Sequence, residues 1–310
     1  MAAHDYGVAM PSRVDSARGA LLGTFAGDAL GMPFEGAVPA DVPNQVEMID
    51  ARRGRGTYTD DTEMMIALAE SLIDRGRIDE QSLAAAFLDR FDPTRGYGRG
   101  TRQVLDLWRR GEPVETAAAQ IFGGEGSRGN GAAMRVAPVA VRFAGDPARL
   151  EAEVELSARV THCHPIGIDS AQVQAAAIAA AARGDDVLVA AGRVARTHEL
   201  KSALRRVDAL RGPKPDPRAA AAELGNESAG DRSVPTAVLA AISQGTFEEA
   251  VTFAVHCAGD ADTIAAMTGA IAGARDGIAA IPHKWLAALE NGERGRAYVE
   301  SLAERLVQIE

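Results

Sequence analysis

Two short stretches concentrate oxygen ligands: Thr59-Asp60-Asp61-Thr62 and Asp260-Ala261-Asp262-Thr263. The first lies in Gly56 to Leu72, where a glycine-bearing turn enters an amphipathic pattern. Thr59 is a candidate N-cap there, and Asp60 and Asp61 fall in or before the first helical turn. A helix start stabilises acidic residues through its dipole and unpaired amides, so this cluster taken alone has a purely structural explanation. The second cluster, in Cys257 to Ala274, repeats the arrangement between almost wholly apolar flanks. Carboxylates in such surroundings are costly without a compensating cation. Clustered carboxylate and hydroxyl oxygens suit Mg²⁺, Mn²⁺ or Ca²⁺ rather than Zn²⁺, and Mg²⁺ is the expected ion. No EF-hand loop is present, because its alternating ligands, central glycine and terminal glutamate are missing.

Between the clusters, Phe122 to Val141 reads FGGEGSRGNGAAMRVAPVAV. Its five glycines allow several backbone amides to turn toward an anion, and a helix beginning near Ala132 would add positive potential. A diphosphate suits such a loop, although an ordinary glycine-rich turn has the same composition. Neither a Walker lysine pattern nor a dinucleotide fingerprint occurs. His162 and His164 precede a further helix; one histidine contacting substrate is the functional reading, and a helix-entry histidine bonded to backbone is the structural one. Glu35 follows the breaker Pro33, so its carboxylate could close over a substrate and transfer a proton, or could simply face solvent.

These groups need a scaffold, and alanine-rich helical periodicity supplies it. Asp15–Gly31, Thr62–Ile73, Glu80–Phe91, Arg99–Arg110, Ala148–Arg159, Ser170–Arg183, Val234–Ser243, Phe247–His256 and Thr263–Ala274 are predicted helices. Alternating β-branched runs are lacking, so the expected fold is an all-α, single-domain helical bundle over residues 1–310, with residues 1–14 as a flexible N-terminus. Arg211 to Pro217 reads as an exposed connection inside that domain. The chain has 310 residues, 46% of them hydrophobic, enough for a sizeable core. Its net charge of -10 argues against non-specific nucleic-acid binding. Two cysteines and the lack of an apolar leader or span point to a cytoplasmic protein with no membrane association.

Five motifs in fixed order, GALLGTFAGDALGMPFEG, YTDDTEM, GSRGNGAAMR, THCHPIG and GDADTIA, resemble the ADP-ribosylglycohydrolase family from Ala17 to about Ala274. The resemblance implies an orthogonal all-α bundle with a binuclear metal cleft holding two Mg²⁺, with Mn²⁺ as a substitute. By carry-over the metal ligands are Thr59, Asp60, Asp61, Asp260, Asp262 and Thr263, with Glu35 near the second ion. Ala261 replaces a threonine often found within the second cluster. Glu35, Asp60 and Asp61 are the implied catalytic residues. Phe122 would contact adenine, and Glu125, Gly126, Ser127, Arg128, Gly129, Asn130 and Gly131 the diphosphate and ribose, joined by His162. Arg128 stands where the branch acting on O-linked ADP-ribose usually has an aromatic residue. The implied activity is hydrolysis of the bond between ADP-ribose and an ADP-ribosylated protein or small molecule, by a monomer. Serine-linked ADP-ribose, poly(ADP-ribose) and O-acetyl-ADP-ribose are the expected substrates. Arginine-linked ADP-ribose and a non-catalytic ADP-ribose-binding role are the alternatives.

Overall fold

A computed structural model describes residues 10–51, 53–212 and 215–308. These residues form seventeen α-helices and four short 3₁₀ turns with no strand among them; Gly129 and Ala229 make an isolated bridge. The all-α expectation therefore holds. The buried apolar side chains form one cluster running from Ala17 to Leu306. No helix of the described residues is long and apolar enough to cross a membrane.

Local chemistry explains where the predicted helices begin. Phe247–His256 has its predicted limits because Thr246 and Glu249 form a reciprocal capping box, each side chain accepting from the other's backbone N–H. The first helix starts at Arg13 rather than Asp15, since Ser12 is its cap and accepts from Asp15 N. Arg13 and Val14, read from sequence as part of a flexible terminus, are thus helical, and residues 1–9 lie outside the described residues. Pro165–Arg183 starts five residues before Ser170, with Pro165 at the first position, where its missing N–H costs nothing. Pro217, at the end of the predicted connection, opens the helix Pro217–Leu224 under an Asp216 cap. Pro213 and Lys214 of that connection lie outside the described residues.

The centre of the bundle is the packing of Arg13–Gly31 against Ala261–Asp276. Small residues recur every four positions along the first helix, and each meets backbone of the second. A Cβ on Gly19 would lie 2.1 Å from Gly273 O, one on Gly23 2.2 Å from Gly269 O, one on Gly27 2.1 Å from Ala265 O and one on Gly31 2.5 Å from Ala261 O. The pairing runs antiparallel. It lets two backbones touch and places the C-terminal end of the first helix against the start of the second, where the second acidic cluster lies.

Candidate active site

Asp28, on the first helix and fully buried, organises the first acidic cluster. Its Oδ2 accepts from Thr59 N at 3.0 Å, Thr62 N at 3.2 Å and Thr62 Oγ1 at 2.6 Å. This one carboxylate fixes both ends of the Thr59–Thr62 turn. Thr59 is the N-cap of Asp60–Arg75, accepting from Asp61 N at 3.3 Å. The buried Arg95 braces the other side: it stacks 3.6 Å from the Tyr58 ring centroid and donates to Tyr58 O at 2.8 Å and to Glu290 at 2.6 Å.

The second cluster is set by a strained loop. Ala258 has φ 56 and Gly259 φ 67, the left-handed region that ordinary side chains avoid. At Gly259 a Cβ would strike Asn226 O at 2.2 Å. Gly36 N donates to Gly259 O at 2.7 Å and Gly259 N to Ala37 O at 3.0 Å, which ties the Glu35 segment to the second cluster. Asn130 donates from Nδ2 to Asp260 Oδ2 at 2.6 Å, joining the glycine loop to the same place. Thr263 Oγ1 lies 3.5 Å from Asp61 Oδ1, so the two clusters meet.

Charge at this junction is one-sided. Burial raises the carboxyl pKa of Asp28 to about 6. That of Asp60 rises to about 8, first through burial and then through Asp28. Asp61 and Asp262 are also pushed well up, by burial first and then by neighbouring carboxylates. Asp61 Oδ2 and Asp262 Oδ1 are buried without a hydrogen-bond partner. An orphaned buried carboxylate oxygen is expensive, and a divalent cation is the hard partner that oxygen donors satisfy. The donor set therefore fits Mg²⁺ or Mn²⁺. Among the described residues no three His, Cys, Asp or Glu side chains are drawn together to metal-holding distance.

The raised values carry a sign. A carboxylate that binds its proton more tightly when folded stabilises the fold below its unfolded pKa, and that contribution is lost as pH rises through the folded value. Metal-free protein is therefore expected to lose thermal stability from about pH 4 to about pH 8, a window bounded by the ordinary aspartate value of 3.8 and by Asp60. Mg²⁺ binds the deprotonated form, so its stabilising effect should grow over the same interval. Melting curves with chelator and with Mg²⁺ across this range check it; a metal-free melting temperature that climbs with pH would contradict the electrostatic assignment.

The glycine loop faces these carboxylates and is pinned from behind. Asn130 N donates to Ser228 O and Gly230 N to Arg128 O, both at 2.9 Å. Gly126, at φ 74, lies so close to Cys163 that a Cβ would fall 2.1 Å from Sγ. Phe122 is 45% exposed with φ 52, a large apolar side chain held at the rim. Arg128 is half-exposed and donates to both oxygens of Asp231 at 3.2 and 3.3 Å. The two histidines divide the two readings. Both line the cleft, but His164 spends Nδ1 as the cap of Pro165–Arg183, accepting from Ile166 N at 3.1 Å, whereas His162 is buried and makes no cap.

A cavity of about 600 Å³ collects these groups, which suits a ligand of nucleotide size. Its wall includes Glu35, Asp60, Asp61, Asp260, Asp262 and Thr263, and also Phe122, His162 and every residue from Glu125 to Gly131. Thr59, expected as a ligand, is not part of this wall and caps its helix. Asp28 carries no local sequence signal of its role; Gly98, Arg99, Gly100 and Thr101, absent from the expected site, line the cavity at the start of Arg99–Arg109. A second glycine-spaced helix entry, GYGRGT, was the available signal for the latter.

An all-helical bundle whose cleft pairs acidic helix starts with a glycine loop defines a class, and comparisons with known proteins identify it. The family model for ADP-ribosylglycohydrolase matches residues 9–310. A zebrafish (Danio rerio) protein, ADP-ribosylhydrolase ARH3, is 33% identical, with 94% of this chain and 90% of the relative covered. The ADP-ribosyl-[dinitrogen reductase] glycohydrolase of Rhodospirillum rubrum is 32% identical over 90% of this chain and 92% of its own length. Among solved structures, an ADP-ribosylglycohydrolase-related protein complex superposes with a TM-score of 0.78 at 32% identity, over 96% of this chain and 98% of that one. The chain belongs to the ADP-ribosylglycohydrolase family.

Proposed function

We propose that the protein is a metal-dependent ADP-ribosylhydrolase that cleaves ADP-ribose from an O-linked acceptor, acting as a monomer in the cytoplasm. The carrying observation is the meeting of buried, partly orphaned carboxylates with a glycine-lined cleft of about 600 Å³. The zebrafish relative's name describes the same reaction class, and both cysteines are free thiols.

Asp60, Asp61, Asp260, Asp262 and Thr263 would hold two Mg²⁺, with Thr59 and Glu35 beside them. Bound there, the cations supply Lewis-acid charge for ribose hydroxyls and an attacking water. The chain's own groups do the rest. Backbone amides of Gly126 to Gly131 receive the diphosphate, and Phe122 at the rim offers a face for adenine. Asp60 and Asp61 stabilise positive charge that develops on the ribose as its bond to the acceptor opens. Glu35, at the end of the Met32–Phe34 turn and exposed at the mouth, is placed to exchange a proton with the entering water or the departing acceptor.

O-linked ADP-ribose is the preferred substrate because an ester or ether acceptor needs no dedicated carboxylate on the leaving side. Arg99 and Arg128 both line the cavity, and a guanidinium of either that faces the leaving side would repel a departing guanidinium, whereas one stacked on adenine would affect both substrates equally. Assaying free ADP-ribose from serine-linked, arginine-linked and O-acetyl substrates under equal Mg²⁺ checks this. Faster release from the arginine-linked peptide would overturn the linkage while leaving the hydrolase reading in place.

A further inference from the structure

Arg135 is a large cation that the reaction as described does not use, and it is 0% exposed. Burial lowers its pKa to about 9. None of its hydrogen-bond or ring partners among the described residues is a carboxylate: Nη2 donates to Ser157 O at 2.9 Å and to Thr161 Oγ1 at 2.8 Å, Nη1 lies 3.9 Å from Met64 Sδ, and the guanidinium stands 4.8 Å from the Phe87 ring centroid. Thr161, 1% exposed, is in turn 2.7 Å from His162 Nδ1.

Donor and acceptor capacity decide the direction of this chain. A guanidinium only donates, so Thr161 Oγ1 accepts from Arg135. Its single hydrogen then needs an acceptor, and the described acceptor within reach is His162 Nδ1. If Nδ1 carried the proton instead, the threonine oxygen would accept twice and a buried hydroxyl hydrogen would be stranded, which folded interiors avoid. His162 is 3% exposed; burial and the nearby Arg135 charge hold its pKa down to about 3, so the ring is neutral. A neutral ring that accepts at Nδ1 must donate at Nε2. Nε2 has no protein partner among the described residues. It faces the glycine loop, 3.3 Å from where a Cβ on Gly131 would stand and 3.9 Å from one on Gly129.

We propose that Arg135 and Thr161 are positioning residues that lock His162 in the Nε2–H form, presenting a neutral N–H donor to the cleft. Directed there, the donor suits the acceptor-only oxygens of a diphosphate; this last step rests on the ADP-ribose reading above. A neutral donor also keeps the same character across the physiological pH range. A histidine free to change tautomer would offer an acceptor to the phosphate part of the time and would bind it less well.

The test is long-range ¹H–¹⁵N correlation spectroscopy of the full chain labelled at histidine, with His162→Asn used to assign the signal. The parent is expected to show the Nε2–H form alone. Thr161→Val, which keeps shape but removes the hydroxyl, should admit the Nδ1–H form and weaken ADP-ribose binding about tenfold. Thr161→Ser should restore both, which a merely structural role for the residue would not require. An Nδ1–H form in the parent, or a Thr161→Val spectrum unchanged from it, overturns the relay. The parent spectrum decides the matter even if Thr161→Val does not fold. Titration with ADP-ribose separates the two layers: a pure Nε2–H signal that ignores the ligand supports the relay and removes His162 from the ligand site.

Discussion

Asp60→Asn and Asp262→Asn are each expected to lower turnover about 10³-fold while leaving the helical fold intact. Both carboxylates line the cleft, one from each end of the sequence, and both carry pKa values raised by burial and by other acids. An amide offers one carbonyl oxygen and no charge, so it weakens cation binding and cannot stabilise a developing positive centre. Stability should move the other way. Replacing a buried carboxylate by an amide removes like-charge repulsion, so each variant should melt no lower than the parent in chelator and should gain less from Mg²⁺. Turnover, circular dichroism and melting with and without Mg²⁺ decide the matter. Loss of turnover with loss of helicity would point to a folding role, and retained turnover would remove the residue from the mechanism.

Gly23→Val should cost about 3 kcal/mol or more of folding stability. A Cβ there would sit 2.2 Å from Gly269 O, 2.8 Å from Gly269 C and 3.2 Å from the Phe247 ring. Two of those contacts are backbone atoms of the facing helix, which no rotamer change can clear. The antiparallel pair must then separate, and with it the alignment of Asp28 with the Ala261 end. Gly192→Ala, at a helical glycine with nothing within 4 Å, is the control and should be neutral or mildly stabilising. Urea unfolding of both variants measures the difference; an equal midpoint for Gly23→Val and the parent would mean that the close approach of the two helices is not needed.

How much of this could be read in the sequence depends on whether the determining interaction is local. The helices with strong caps and clear periodicity were legible, as Phe247–His256 and Glu80–Arg90 show. Both acidic clusters and the glycine loop were legible as well, because each is a contiguous motif at a helix start. What stayed hidden depends on partners distant in the chain. Asp28 reads as one acid in an apolar helix until Thr59 and Thr62 are seen to bond to it. Arg135 reads as an ordinary basic residue until its burial and its bond to Thr161 are seen. The glycines of the first helix read as weak helix formers, and only the backbone of Ala261–Asp276 against them reveals a packing seam. His162 and His164 could not be told apart by spacing. Both line the cleft, but one caps a helix and the other is buried against Thr161, a difference set by three-dimensional contacts.

The most direct measurement of the central claim is release of free ADP-ribose from a serine-linked peptide by chelator-treated protein, followed by stepwise return of Mg²⁺. The account predicts no release above background without the ion and full recovery when Mg²⁺ is restored, with Mn²⁺ able to replace it. Undiminished release in metal-free buffer would contradict the account, because the buried carboxylates of Asp61 and Asp262 would then be acting without the cation they are proposed to hold.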